Sequence, residues 1–376
     1  MKLIIDNKIP YIQGAFEDVS EVVYLPSAKT TSEMVHDADA IITRTRTICN
    51  EDLLKGSSVK FIATATIGYD HIDADYCRRA GIQWTNAPGC NSKSVEQYVA
   101  SALMVLAENG LVNLKQSTIG IVGVGNVGSK VARIAELLGM KVLLNDPPRA
   151  RAEGNEKFVS LQTILEEADI ISLHVPLNMK GEDATFHMAD EVFFSSLKKR
   201  PVLINSCRGE VVKTEAVKQA IKEQKIAAFI CDCWENEPDI DLELLDMTTI
   251  ATSHIAGYSK DGKAKGTQMS VQAVSKFFNL KLDDWKPENI EHPAEPLVVI
   301  DGKDLTDEQI IAQAILHTYD IRQDDRILRA NPSDFEKQRG DYPVRREFPA
   351  YTIQLKNAGE RVAKILREIG FVVCNV

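Results

Sequence analysis

Short apolar runs recur at residues 2–6, 22–25, 40–43, 59–63 and 83–85, separated by polar or helix-like stretches such as Thr31–Ala38 and Asp70–Ala80. Runs this short, without strict alternation, predict strands buried on both faces. Their alternation with helical stretches predicts a small parallel α/β domain. Ser94–Asn109 carries Val95, Tyr98, Val99, Ala102, Leu103 and Leu106 at helical spacing, which predicts one long helix serving as a hinge between domains. Beyond it, strands are expected at Ile119–Val122, Val142–Leu144, around Phe158, and at Ile170–Val175, Val202–Asn205, Ala228–Cys233 and Thr249–Ala251. Helices are expected at Ser129–Gly139, Leu161–Ala168, Asp190–Ser196 and Lys213–Glu223. This series reads as a doubly wound sheet. Gly262–Asn279 is helical and is expected to pack back on the first domain, and Asp283–Glu288 reads as a linker. The last segment has its own order: strand Leu297–Ile300, helix Asp307–Tyr319, a charged region, strand Tyr351–Leu355, helix Ala358–Ile369 and strand Phe371–Cys374. A unit of about 80 residues makes a small core and is often stabilised against a partner, so it is a candidate dimer interface.

The turn after Ile119–Val122 holds Gly123, Gly125 and Gly128 at G-x-G-x-x-G spacing, and Asp146 ends the next strand 18 residues after Gly128. Gly123 permits the tight strand-to-helix turn, Gly125 lets a pyrophosphate approach the backbone, and Gly128 permits close helix packing. The following helix N-terminus offers N–H groups to phosphate. Asp146 accepts hydrogen bonds from ribose hydroxyls and repels a 2′-phosphate, which favours NAD over NADP. Arg149 is discordant, because it is able to pair with a 2′-phosphate, although an Arg there is more often a solvated charge.

Composition narrows the field. The formal charge of −10 over 376 residues argues against non-specific binding to nucleic acid or an anionic membrane. No apolar run reaches spanning length, and the first residues read as a strand rather than a signal peptide. The seven cysteines show no disulfide-framework or zinc spacing. The seven histidines likewise lack zinc spacing, so no metal is expected. Cys207, beside Arg208, is a candidate mildly reactive thiol, with a small buried residue as the plainer reading.

Three motifs end successive strands in the second half. Arg208, in Asn205-Ser206-Cys207-Arg208-Gly209-Glu210, is able to grip a carboxylate through two parallel hydrogen bonds. Asp232, in Asp232-Cys233-Trp234-Glu235-Asn236-Glu237-Pro238, is placed to accept a bond from a nicotinamide carboxamide. His254, in Thr252-Ser253-His254-Ile255-Ala256-Gly257-Tyr258, is bracketed by small residues and able to approach a ligand.

In chain order, glycine loop, Arg, Glu before Pro, and His-Ile-Ala-Gly, this sequence resembles the D-isomer-specific 2-hydroxyacid dehydrogenases over residues 40–285. Leu173-His174-Val175-Pro176-Leu177 resembles the family strand that ends over the cofactor. Thr45 stands where the family often has Ser, and Ser253 where it often has Pro. The resemblance implies an α/β molecule with a Rossmann-type NAD-binding domain (95–258), a flavodoxin-like substrate domain (1–94 and 259–284) and a small C-terminal α/β dimerisation domain (285–376).

It further implies an enzyme with NAD as cofactor. Arg208 would hold the substrate carboxylate, His254 would exchange the 2-hydroxyl proton, and Glu237 would orient the imidazole. Gly123, Gly125, Asn126, Val127, Gly128, Asp146, Val175, Ser206, Asp232 and Gly257 would bind the cofactor. Thr45, Thr66 and Tyr258 would touch substrate. Within the family, the C-terminal extension and the hydroxyl-rich strand tips beside Arg44 and Arg46 imply a 2-hydroxy acid with a distal phosphate. The extension also implies a homodimer, and cysteines without disulfide spacing point to a reduced protein of the cytoplasm. Arg345 and Arg346 read as a solvated pair, with reach into a neighbouring subunit's site as the alternative. A dehydrogenase for another 2-hydroxy acid and a non-catalytic NAD(H)-sensing protein remain the competing readings.

Overall fold

The computed structural model describes residues 1–375, and the chain divides into two compact units, 1–91 with 259–291 and 92–258 with 292–376. The first unit is built on five parallel strands: β1 (Lys2–Asp6), β2 (Glu21–Leu25), β3 (Ala40–Thr43), β4 (Phe61–Thr64) and β5 (Gln83–Thr85). Their order, β2-β1-β3-β4-β5, is the flavodoxin order. The helix Lys260–Phe278, capped by the Ser259 hydroxyl, buries Val271 and Val274 in this unit's core beside Leu3, Ile5 and Phe61.

The second unit holds six parallel strands: β6 (Thr118–Val122), β7 (Lys141–Asn145), β8 (Ile170–Leu173), β9 (Val202–Asn205), β10 (Ala228–Cys231) and β11 (Ile250–Ala251). The order is β11-β10-β9-β8-β6-β7, so the chain reverses direction across the sheet between β6 and β8. Ligands bind at such a switch point, outside the strand C-termini. The strand expected around Phe158 does not form. Pro147–Glu153 is helical, started by the Asp146 carboxylate and a proline in its first turn, and Asn155–Lys157 makes a 3-10 turn. Val159 N–H reaches Leu144 O (2.7 Å), but the chain then leaves the edge of the sheet. Propensity at Phe158 yields to the helix start, and the Phe158 ring instead lies against the Arg149 guanidinium (5.4 Å).

The long helix Ser92–Glu108 is buried on nearly every side from Val95 to Leu106. Its polar members are answered individually. Gln97 Nε2 donates to Thr318 Oγ1 (3.0 Å) and Arg346 O (2.9 Å), and Ser101 Oγ accepts from Ile321 N–H (3.1 Å). Those partners belong to the C-terminal segment, a three-stranded parallel sheet of β12 (Leu297–Asp301), β13 (Thr352–Lys356) and β14 (Val372–Asn375) in that order. Its helices Asp307–Thr318 and Glu360–Ile369 share one apolar core with the long helix and β6. The charged stretch between β12 and β13, left without elements by the sequence reading, forms helices Ile321–Ala330 and Phe335–Gly340. No helix among the described residues is long and apolar enough to cross a membrane.

Candidate active site

The residues singled out in the second unit all lie at or just past strand C-termini. Asp232 follows β10 and is 1% exposed. Its Oδ1 accepts from Thr252 Oγ1 (2.6 Å) and Ile255 N–H (2.8 Å), and its Oδ2 from Ala256 N–H (3.0 Å). Its main-chain oxygen accepts from His254 N–H (2.8 Å). The carboxylate is thus the anchor of the His254 loop, and a nicotinamide amide would have to share it. Tyr98 OH bonds Thr252 Oγ1 (2.9 Å), and Trp234 Nε1 donates to Thr252 O (2.8 Å). His254 has φ +54°, a left-handed conformation uncommon for a residue that carries a Cβ. Strain of this kind, about 1–3 kcal/mol, persists where surrounding bonds over-determine it.

The loop holds the imidazole with Nδ1 2.7 Å from Glu237 Oε2, while Glu237 Oε1 accepts from Trp234 N–H (2.8 Å). Burial raises the Glu237 carboxyl, but the His254 bond and charge, the Trp234 amide and the nearby Arg339 outweigh it and hold the group below its ordinary range. An ionised Glu237 assigns the Nδ1 proton to the histidine, leaving Nε2, which has no partner among the described residues, as a proton acceptor. Cys233 Sγ, Glu237 and His254 place ligand atoms within 4.8 Å of one another. The Cys233 thiol is driven well above its usual pKa by burial, however, and Glu237 and His254 are already bonded to each other.

Arg208, just past β9, donates Nη1 to Cys207 O (2.7 Å) and forms no ion pair among the described residues. A half-buried guanidinium with donors to spare suits a carboxylate. Burial pushes the Cys207 thiol up to about 11, so the reactive-thiol reading fails.

The glycine loop fits a dinucleotide. Gly123 has φ +87°, and a Cβ there would lie 2.6 Å from His174 O; one on Gly128 would lie 1.9 Å from Gly123 O. At Gly125 a Cβ would meet nothing within 4 Å, which leaves room for a pyrophosphate. Asn126 and Val127 N–H donate to no described residue at the start of the helix Gly128–Leu137. Beside these strand ends two buried polar atoms, Ser206 Oγ and His174 Nδ1, lack partners among the described residues. Val175, two residues past β8, and Gly257, past His254, are partly exposed. Asp146 accepts from Val124 N–H (2.8 Å) and Arg149 N–H (3.1 Å). The discordant Arg149 is taken up by Glu153 (2.7 Å), as a solvated charge would be.

In the first unit, Thr45 is exposed past β3. Thr66, past β4, bonds Thr64 Oγ1 (2.8 Å) and donates to Gly68 O (2.9 Å). Arg44 pairs with the buried Asp6 (2.9 Å).

Three residues near the His254 loop make contacts that the sequence does not predict. Tyr342 packs edge-on against Tyr258 (5.8 Å), Arg339 lies over the Tyr258 ring (5.7 Å), and Arg345 donates to Ala256 O. Arg345 is 4% exposed within its own chain, which rules it out both as a solvated charge and as a reach into a neighbour. A charged run with no motif carried no signal of this.

The family described as D-isomer specific 2-hydroxyacid dehydrogenase, NAD binding domain, matches residues 94–256, and a domain of unknown function (DUF3410) matches residues 293–370. The chain is 53% identical over 354 residues to erythronate-4-phosphate dehydrogenase of Bacteroides fragilis, covering 94% of this chain and 99% of that one. It is 39% identical to the enzyme of the same name from Klebsiella pneumoniae, over 99% and 98% of the two chains. Among solved structures, D-lactate dehydrogenase of Aquifex aeolicus complexed with NAD and lactic acid aligns with TM-score 0.62 at 28% identity, covering 76% of this chain and 97% of that one. NAD⁺-bound 3-phosphoglycerate dehydrogenase of Entamoeba histolytica aligns with TM-score 0.63 at 25% identity, over 77% and 99%.

Proposed function

The chain belongs to the D-isomer-specific 2-hydroxyacid dehydrogenase family, and on that premise we propose that it oxidises 4-phospho-D-erythronate at C2 to (R)-3-hydroxy-2-oxo-4-phosphooxybutanoate, within pyridoxine 5′-phosphate (vitamin B6) biosynthesis. It is an NAD-dependent dehydrogenase. The observation that carries the reading is the 2.7 Å bond between Glu237 and His254 Nδ1, with Nε2 free among the described residues and Arg208 in no ion pair.

In this reading Arg208 grips the substrate carboxylate through its fork of N–H donors. His254 Nε2 takes the 2-hydroxyl proton. Glu237 keeps the ring in one tautomer and stabilises the imidazolium that results. The glycine loop and Asp146 would hold NAD, whose nicotinamide would accept the hydride that leaves C2 as the proton goes to His254. In reverse, His254 returns the proton to the oxygen of the 2-oxo acid. Thr45, Thr66 and Tyr258 contact substrate.

The reading extends to a homodimer through the C-terminal sheet, supported by that sheet's outer face, where Leu297, Val299 and Val372 are 49%, 54% and 50% exposed. A cytoplasmic location fits an enzyme that draws on an NAD pool. The test is NADH absorbance with 4-phospho-D-erythronate and NAD, and in reverse with the 2-oxo acid. Turnover should exceed that on 3-phosphoglycerate by at least about 100-fold in kcat/KM, the discrimination open to a fitted site. Preference for 3-phosphoglycerate would reassign the substrate, and NADH binding without turnover of any 2-hydroxy acid would leave a nucleotide-sensing protein.

A further inference from the structure

The segment from Ile321 to Arg345 is bonded to both ends of the loop that carries His254. At the near end, Ala251 in β11 donates its N–H to Asp325 Oδ1 (2.7 Å). Asp325 is paired with Arg329 (3.0 Å), which donates onward to Leu245 O (2.8 Å) and Thr248 O (2.6 Å). At the far end, Arg345 Nη2 donates to Ala256 O and to Ser94 Oγ, and Ser94 Oγ donates to Ala256 O (2.8 Å).

The guanidinium of Arg345 is enclosed. Tyr319 lies 4.4 Å from it, and Tyr342 OH accepts from Nη1 (3.3 Å). Both tyrosine hydroxyls donate to Asp324 Oδ2, at 2.8 Å and 2.7 Å. Burying a cation is expensive unless its charge and its N–H groups are answered; here Nη1 reaches Tyr342, which bonds the buried Asp324, Nη2 reaches Ala256 and Ser94, and Nε alone has no partner among the described residues. The apolar core that the C-terminal segment shares with the long helix, with Val298, Ile353 and Leu366 among its members, is built of hydrophobic side chains. What Arg345 adds is a fixed point on Ala256, two residues past a histidine held at φ +54°.

We propose that Arg345 is a positioning residue for the dehydrogenase reaction: by clamping Ala256 and Ser94 it keeps the His254 loop in the strained conformation that presents the imidazole to Glu237. The matched domain of unknown function thereby contributes to the alignment of the reacting histidine. The proposal rests on the reading of His254 as the proton-transfer residue.

The test compares Arg345→Lys with the double variant Arg345→Met/Asp324→Asn, which removes both buried charges and so stays informative if the single change prevents folding. Steady-state kinetics with 4-phospho-D-erythronate, the single-turnover rate of NADH formation, and NADH affinity from nucleotide fluorescence are measured on the folded full-length chain. Misplacing a catalytic group by about 1 Å costs about 100-fold, so kcat and the single-turnover rate should fall together by about 10- to 100-fold. KM and the NADH Kd should stay within about twofold, a split that follows from loss of a transition-state interaction alone. A wild-type single-turnover rate in a folded variant overturns the proposal. An equal loss in NADH affinity also overturns it, because Arg345 would then support the whole nucleotide fold. His254→Asn is the control: if it retains turnover, the premise about His254 falls, whereas an inactive His254→Asn beside a fully active Arg345→Lys removes the clamp alone.

Discussion

With Nδ1 committed to Glu237, His254 has Nε2 left for chemistry, and its replacement reads out that one atom. His254→Asn should lower kcat by about 100- to 10,000-fold, the usual contribution of a general acid–base group, with the NADH Kd unchanged. Stopped-flow binding and steady-state assays check both halves. Arg208→Lys keeps the charge and loses the fork. Because a charge-assisted hydrogen bond contributes about 1.5–3 kcal/mol, kcat/KM for the 2-hydroxy acid should fall by at least about tenfold, and an unchanged value would place the carboxylate elsewhere. Asp146→Ser removes the charge that opposes a 2′-phosphate and also an acceptor for Val124 N–H. The ratio of kcat/KM for NAD over NADP should drop, measured with each nucleotide at saturating acid.

Among the elements, the long helix Ser92–Glu108 holds the most informative buried charge. Burial raises the Glu96 carboxyl to about 7, more than Lys130, Arg133 and Lys93 lower it, and Glu347 adds to the rise. A folded carboxyl that binds its proton more tightly than the unfolded one (ordinarily near 4.3) lends stability that is complete below about pH 4.3 and is lost as the pH rises through 7. Glu96→Gln should therefore match the parent chain in acid and exceed it at pH 8 by up to about 3 kcal/mol, as urea titrations at the two pH values would show. Gly128→Ala puts a methyl 1.9 Å from Gly123 O and should cost about 1–3 kcal/mol together with nucleotide binding.

The same elements show what a single sequence carries. Ile119–Val122, the three glycines and Asp146 were legible because a βα turn that must admit a pyrophosphate leaves few residue choices. Arg208 and His254 stood out as candidates because they follow apolar strands at a switch to polar residues, whereas Glu237, in a loop before Pro238, took its role only from the family resemblance. The Phe158 strand was misread because its aromatic and β-branched residues say nothing of the helix that Asp146 starts just before them. Helix Ile321–Ala330 was missed because six of its ten residues are charged or Gln, and the Ile321 and Leu328 it buries are too sparse to register as a stripe. The bonds of Asp232 to Ile255 and Ala256 were not legible, because they depend on which strands are neighbours, and sequence spacing does not encode that.

For the molecule as a whole, the outer face of the C-terminal sheet is the place to look for self-association. Parallel register aligns Leu297 with Thr352 and Val372, and Val299 with Gln354 and Cys374, on one face. Val299→Lys with Val372→Lys should reduce the mass seen by light scattering at micromolar concentration to that of a monomer, and an unchanged mass would move the interface elsewhere. The shared core of the second unit has a consequence in time as well. The ribosome releases the helix Ser92–Glu108 long before the helix Asp307–Thr318 that covers part of it exists. At about 5–20 residues per second, its apolar side waits on the order of 10–40 seconds for the C-terminal segment. A rare-codon pause between the two helices would lengthen that exposure during synthesis.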